Sequence, residues 1–201
     1  GGLVITGYRV RISNGGALET VTANTSPISA QISANAATLR GLTNGTAYLV
    51  ELAAITSSGV IGETATVSVT PNGVPGSIAN LAATTASGSV NLTWSAPSTN
   101  GGSAITGYLI EKSTNAVTWS SVATAQANAT SYSVSSLTNG TTYIFRIAAQ
   151  NAVGSSEFST ISAKPLGGPS APLNVTASAS DGQFTISWTP PTSDGGTSIT
   201  G

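Results

Sequence analysis

The carboxylates are the residues of this sequence with the clearest potential for acid-base or metal chemistry. The chain has no Cys and no His, which removes disulfides, thiolate sites and imidazole chemistry. The acidic residues stand singly, without the D-x-D-x-D spacing of a calcium loop, and nothing in the sequence supplies a cleft for a catalytic carboxylate pair. We therefore expect no catalytic residue, no metal site and no cofactor. The acidic residues are Glu19, Glu51, Glu63, Glu111, Glu157, Asp181 and Asp194.

The hydroxyl, amine and glycine groups give no stronger catalytic signal. Ser and Thr are abundant, but no His can serve as their base, and Lys112 and Lys164 lack an S-x-x-K context. Pairs such as Gly101-Gly102 lie between predicted strands with no following helix N-terminus, so they indicate turns and not phosphate loops. The sequence therefore predicts a protein that is not an enzyme.

Low charge limits the partners that this chain can have. Only 6% of its 201 residues are charged and the net charge is −1, whereas soluble domains carry about 25% charged residues. Nucleic acid is a poor partner without a basic stripe, and no apolar run of about 18 residues predicts membrane insertion. The 3 Trp, 5 Tyr and 3 Phe predict small cores. The sequence also has no Met, so we expect an internal piece of a longer chain.

A long internal repeat organises the sequence. The segment 101–108 (GGSAITGY) echoes 1–8 and returns at 195–201, while 42–48 (LTNGTAY) matches 137–143 (LTNGTTY). Trp94 and Trp188 are 94 residues apart, which is the length of one sandwich domain and too long for a solenoid repeat of about 20–50 residues. The first repeat is longer, and we expect its insertion in a loop such as Ala34–Ala37.

The middle repeat has the pattern of an all-β domain. Short alternating runs rich in Val, Ile, Thr and aromatic residues are separated by Gly, Asn, Ser and Pro clusters. Alternation places Tyr143, Phe145, Ile147 and Ala149 on one face, which we predict to be the core face. The seven predicted strands are Ala79–Thr85, Ser89–Ser95, Thr106–Ser113, Thr118–Ala123, Ser131–Val134, Thr142–Asn151 and Ser156–Ala163.

These markers together resemble a fibronectin type III domain. They are a Trp in the second strand, a Gly-Tyr pair opening the third, the Leu-Thr-Asn-Gly-Thr-x-Tyr segment and a final Ala-x-Asn-x-x-Gly. The resemblance implies tandem seven-stranded, immunoglobulin-like β-sandwiches with a tyrosine corner at Tyr48 and Tyr143. The first repeat departs from it at Thr56, and the integrin-binding Arg-Gly-Asp loop is absent. The predicted structural core comprises Trp94, Trp188, Tyr108, Leu137, Tyr143, Phe145, Ile147 and Tyr48.

Two Pro- and Gly-rich stretches, 71–75 and 165–172, predict short linkers. They divide the chain into a domain lacking strands A and B (1–73), a complete domain (74–167) and the first strands A and B of a further domain (168–201). Short linkers predict an extended rod. The cut domains allow two interpretations: neighbouring copies complete each other by strand addition, or a longer parent chain supplies the missing strands.

Trp119 is the only candidate ligand contact. It falls in a short middle strand outside the predicted core rows, and the first repeat has no Trp there. Such a ring could stack on a sugar, or it could lie partly buried over the edge of the sandwich.

The residue pattern favours an extracellular or cell-surface structural and adhesive protein of a bacterium, forming a rod, filament or surface sheath. Its expected partners are further copies of itself, other cell-surface proteins or polysaccharide. Two alternatives remain: a spacer or carbohydrate-binding accessory region of a secreted polysaccharide-degrading enzyme, and a eukaryotic receptor or matrix segment. Fold analogy alone does not separate these functions.

Overall fold

The computed structural model describes residues 4–22 and 28–200, and these contain β-strands and no helix. The Gly1–Leu3 part of the repeated marker and Gly201 therefore lie outside the described residues. Two compact units are present: the first draws on residues 1–75, 99–104 and 152–154, and the second on 76–98, 105–151 and 155–201. The strands are β1 (Ile5–Ser13), β2 (Glu19–Val21), β3 (Ser29–Ile32), β4 (Ala37–Arg40), β5 (Tyr48–Thr56), β6 (Ile61–Val69), β7 (Ala79–Ala86), β8 (Ser89–Ser95), β9 (Ile105–Ser113), β10 (Ser120–Gln126), β11 (Ser131–Val134), β12 (Tyr143–Asn151), β13 (Ser159–Ala163), β14 (Leu173–Ser180) and β15 (Gln183–Thr189).

The second unit contains a two-sheet sandwich made of the seven predicted strands. One sheet has the order β11-β8-β7 and the other β10-β9-β12-β13, with every pairing antiparallel. This arrangement confirms the all-β, immunoglobulin-like fold class. Strands β8 and β11 have the predicted bounds, and three others begin or end within one residue of them.

Two strands begin later than predicted because local side chains hold the backbone in turns. The Asn115 carboxamide oxygen accepts hydrogen bonds from the backbone N–H groups of Val117 and Thr118, so β10 begins only at Ser120. The Ser156 hydroxyl accepts a hydrogen bond from the Ala149 N–H, and the Ser156 N–H donates to the Ala149 carbonyl oxygen. These two hydrogen bonds hold Ser156 in a loop, so β13 begins only at Ser159.

The core of the sandwich lies where the inner rows of the two sheets meet. Trp94 and Tyr108 pack with ring centroids 5.4 Å apart and tilted by 58°. Burial raises the pKa of the Tyr108 phenol above its ordinary value of 10.0. Burial of each large apolar side chain contributes about 1.5–3 kcal/mol. The fully enclosed members of the rows are Val90, Leu92, Tyr108, Ile110, Phe145, Ile147 and Ala149.

A tyrosine corner is present in both repeats that contain its sequence. The Tyr143 hydroxyl accepts a hydrogen bond of 3.1 Å from the Thr138 N–H, and the Tyr48 hydroxyl accepts one of 3.0 Å from the Thr43 N–H. Each corner ties the turn that precedes a long strand back to the first residue of that strand. Tyr48 is buried and Tyr143 is half-buried.

The first unit contains a four-stranded sheet, β2-β1-β5-β6, and the ribbon β3–β4 packs against its inner face, where Ala30 shares a core with Ile12, Val21 and Tyr48. In the second unit no strand lies between β10 and β11, whereas here β3 lies between their counterparts β2 and β4. The extra length of this repeat therefore forms strand β3. A tight turn at 33–36 follows β3, and in it the Ser33 N–H donates to the Ala36 carbonyl oxygen. The predicted insertion segment Ala34–Ala37 covers this turn and the first residue of β4.

The remaining strands, β14 and β15, form a hairpin with the same register as β7 and β8. Ala79 pairs with Ser95 before an irregularity, and Leu173 pairs with Thr189 before the same irregularity. Asn80 and Asn174 occupy the irregularity with the same positive φ of 52°. The hairpin thus repeats the first two strands of the sandwich in detail.

Removal of the corner hydroxyl should weaken the sandwich. We expect Tyr143→Phe to lower the free energy of unfolding by about 1 kcal/mol, because the Thr138 N–H loses its acceptor. Urea unfolding followed by the methyl NMR signals of Ile110 and Ile147 measures this change. Tyr132→Phe is the control, since the Tyr132 hydroxyl makes no hydrogen bond with the described residues. Equal stability of the two variants would contradict the role of the corner.

Candidate functional site

Five charged residues of the described segments form ion pairs on the outer faces of the sheets. Glu111 pairs with Arg146, while Glu51 pairs with both Arg9 and Arg11. Within residues 4–22 and 28–200, no group of three His, Cys, Asp or Glu side chains could hold a metal ion. No helix in this part of the chain is long and apolar enough to cross a membrane.

Arg146 organises the most elaborate of these outer surfaces. Its guanidinium carbon lies 4.0 Å from the ring centroid of Trp119 and 4.1 Å from that of Phe158, and its Nε donates a 2.6 Å hydrogen bond to the Glu111 carboxylate. Strand pairing places Arg146 directly opposite Glu111. A planar guanidinium can stack on aromatic rings while its edge pairs with a carboxylate, which an ammonium group cannot do.

This cluster gives Trp119 a partner within the chain. Trp119 is half-buried, and Arg146 covers part of its ring surface. Only the remaining surface of the ring could meet a sugar. The proposed ligand contact at Trp119 stays a prediction. In the structure, the Arg146 guanidinium already covers part of the Trp119 ring.

The sequence could have suggested part of the cluster. Alternation along β12 puts Arg146 on the outer face, but the cross-strand neighbour Glu111 requires the register of β9 against β12. Phe158 lies between β12 and β13, in a loop whose path no short-range pattern predicts. Sequence patterns alone therefore do not predict the stack of Arg146 on Trp119 and Phe158.

The first unit carries the same ion pair with its charges exchanged. Glu51 occupies the position of Arg146, and Arg11 lies opposite it, where Glu111 lies in the second unit. The Arg11 side chain also donates to the Leu18 carbonyl oxygen. No aromatic ring stacks on either arginine among the described residues. The pair is thus kept across repeats while its polarity and its aromatic partners are not.

The two incomplete repeats present a different candidate site, an open inner face. Leu52 of β5 is 40% exposed, although its counterpart Ile147 in the sandwich is fully buried. Leu52 also lines an open cavity of about 290 Å³ together with Tyr8 and Ile32. In the hairpin, Phe184 is 69% exposed and Trp188 is 58% exposed. Leu52 is thus only partly covered by the β3–β4 ribbon, and no sheet faces the hairpin within the described residues.

The predicted core residues differ in how far they are buried. Trp188 is exposed because residues 168–201 contribute only the two strands of a hairpin. Tyr143 is half-buried at the start of β12, with the Lys112 ammonium 5.8 Å from its ring centroid. The buried members are Trp94, Tyr108, Leu137, Phe145, Ile147 and Tyr48.

Comparison with known families identifies the sandwich. The sequence model described as the fibronectin type III domain matches residues 76–164. These residues form a fibronectin type III domain. The match spans all seven strands of the two-sheet sandwich, from β7 to β13.

Several known proteins share sequence with this chain. Titin of Drosophila melanogaster is 43% identical over 67 residues, which is 33% of this chain and rounds to 0% of that protein. The titin homolog of Caenorhabditis elegans is 36% identical over 124 residues, 56% of this chain and 1% of that protein. The Kelch domain-containing protein SSO1033 of Saccharolobus solfataricus is 40% identical over 70 residues, 34% of this chain and 10% of that protein. The chain therefore spans at most 10% of the length of these relatives.

Solved structures of titin also resemble this chain. A crystal structure of a run of titin domains has a TM-score of 0.48 at 26% identity, covering 79% of this chain and 55% of that one. The titin kinase with its flanking domains has a TM-score of 0.42 at 33% identity, covering 46% of this chain and 17% of that one.

Truncation of Trp119 tests whether the stack contributes to stability. We expect Trp119→Ala to lower the free energy of unfolding of the fibronectin type III domain by about 1 kcal/mol, because Arg146 loses one of its two aromatic partners. The same methyl signals in a urea titration report the change. Val117→Ala, on the exposed turn before β10, is the matched control. A Trp119→Ala variant as stable as this control would mean that the stack contributes nothing to folding.

Proposed function

We propose that this chain is a non-catalytic repeat region of a bacterial extracellular structural or adhesive protein, which forms a rod, filament or surface sheath. Tandem repetition supports the proposal: sandwich strands, tyrosine corner and first hairpin recur along one chain with the same register. The weak net charge of −1 also leaves little repulsion between copies. The Arg146 stack accounts for Trp119 without a ligand, so a carbohydrate-binding accessory role is not proposed.

The partner that we propose is a second copy of this chain. The observation that carries this proposal is the exposure of Phe184, Ile186 and Trp188, whose counterparts Val90, Leu92 and Trp94 are buried. A two-stranded hairpin alone is marginally stable in water, so an apolar face of this kind gains stability when a sheet covers it.

The first unit offers a sheet of the kind that covers such a hairpin. In the complete domain, β8 carries the row Val90, Leu92 and Trp94, which packs in one core with Ile147 of β12. Leu52 is the counterpart of Ile147 and is 40% exposed, and Val67 and Val69 of the neighbouring strand β6 are exposed as well. Hairpin β14–β15 has the register of β7–β8, so we propose that the hairpin of one copy packs against the β2-β1-β5-β6 sheet of the next. Repetition of this head-to-tail contact builds a filament.

Solution mass measures this association directly. Size-exclusion chromatography with light scattering over a hundredfold range of protein concentration should give a mass that rises from monomer to oligomers. Trp188→Ser and Leu52→Ser should each shift the curve toward monomer, because each puts a polar group into the proposed contact.

The matched control is Val117→Ser, which changes an equally apolar side chain that is 80% exposed and lies on neither open face. It should leave the curve unchanged. A well-folded monomer at every concentration would contradict self-association, and recovery of the native protein from the cytoplasm of its source cells would contradict the extracellular placement.

A further inference from the structure

The loop contacts of the second unit include a small joint made mainly of backbone hydrogen bonds. The Gly140 N–H donates to the Pro165 carbonyl oxygen over 2.8 Å, and the Gly167 N–H donates to the Gly195 carbonyl oxygen over 2.8 Å. The Lys164 ammonium donates to the Gly196 carbonyl oxygen over 3.0 Å. Three separated pieces of sequence meet here: the Asn-Gly turn at 139–140, the Pro-rich linker at 165–167 and the Gly-Gly turn at 195–196.

The first unit contains the same joint, built from the corresponding residues 94 or 95 positions earlier. The Gly45 N–H donates to the Pro71 carbonyl oxygen over 2.8 Å, and the Gly73 N–H donates to the Gly101 carbonyl oxygen over 2.7 Å. The matching distances in the two units differ by at most 0.1 Å. Because two different linker sequences give one geometry, the joint is a property of the repeat and not an accident of one loop.

Glycine is required in this joint for two reasons: neighbouring backbone leaves no room for a Cβ, and the φ angle is positive. A Cβ on Gly195 would overlap the carbonyl oxygen of Gly167, and a Cβ on Gly101 would overlap that of Gly73. Gly195 and Gly101 also share a φ of +71°, which favours glycine. The backbones therefore approach to a distance that no other residue type permits.

Side chains next to these glycines make hydrogen bonds on both surfaces of the joint. The Asp194 carboxylate accepts a hydrogen bond from the Gly196 N–H, and the Asn100 carboxamide accepts one from the Gly102 N–H. On the opposite surface, the Asn139 side chain binds the Gly88 N–H and the Ser87 hydroxyl, while it also packs against Gly167. The Gly-Gly turns are thus preformed by their own residues, and Asn139 is held by the β7–β8 turn, which lowers the entropic cost of docking.

We propose that the Asn-Gly turn and the linker of each repeat together form a docking surface whose ligand is the Gly-Gly turn of the following repeat. The sequence elements of this glycine joint are Asn-Gly-Thr, Pro-x-Gly and a Gly-Gly pair preceded by Asn or Asp. The linker has its own N–H and carbonyl groups engaged, so it is part of a built contact and not a free tether. The joint acts within one chain and does not depend on the proposed self-association.

Hydrogen exchange of single amides tests the joint in the intact chain. The Gly167 amide should be protected in the wild-type protein, and Gly195→Ala should lower its protection about tenfold or more, because the added methyl group displaces the acceptor carbonyl. Gly182→Ala is the matched control: its φ of +68° imposes the same backbone strain, but nothing lies within 4 Å of the new methyl group. This control should leave the Gly167 amide unchanged.

Two further NMR signals in the same sample serve as internal controls. The Gly73 amide belongs to the joint of the first unit and should keep its protection in Gly195→Ala, and the Ile147 methyl signal should show an intact sandwich. A Gly167 amide that exchanges freely in the wild type would overturn the proposal. So would a loss of protection that Gly182→Ala reproduces in full, since strain in the hairpin and not the docking contact would then be the cause.

Discussion

Closure of two sheets over one inner row is the constraint on which this molecule depends. A strand of this fold buries its apolar side chains only where strands on the facing side cover them. Ile147 and Leu52 occupy equivalent positions on equivalent strands, yet Ile147 is enclosed and Leu52 is open to solvent. The same difference separates Trp94 from Trp188. Local sequence thus forms each strand and hairpin, but burial is decided by partners distant in sequence.

Much of the fold was accessible from the sequence because its signals are local or periodic. Alternation along β12 identified Phe145 and Ile147 as core residues, and repetition of Leu-Thr-Asn-Gly-Thr-x-Tyr located both tyrosine corners. The late start of β10 was missed because it depends on one carboxamide, that of Asn115, which competes with the strand for backbone N–H groups.

The outer cluster and the joint were less accessible. Arg146, Trp119 and Phe158 come together only when two strands and a loop are in place, and no spacing along the chain encodes that meeting. The Gly-Gly pairs were predicted to be turns, which explains their conformation but not their location against a linker. Glycine in a turn and glycine at a close contact look alike in sequence, and only three-dimensional neighbours distinguish them.

The repeats keep their backbone contacts and vary their surfaces. The glycine joints agree within 0.1 Å, whereas the central outer charge reverses from Arg146 to Glu51 between repeats. The backbone contacts are thus repeated along the chain, while the exposed side chains differ. This is the pattern expected of a structural repeat protein.

Acrylamide quenching of single tryptophans tests most directly the claim that another copy supplies the missing sheet. Two variants are needed, one keeping only Trp94 and one keeping only Trp188, with Phe at the other tryptophan positions. Trp94 should be shielded at every protein concentration, whereas Trp188 should be fully quenched in dilute protein and shielded in concentrated protein. If Trp188 were quenched equally at all concentrations, the open inner face would have no partner in a second copy, and the account of assembly would be wrong.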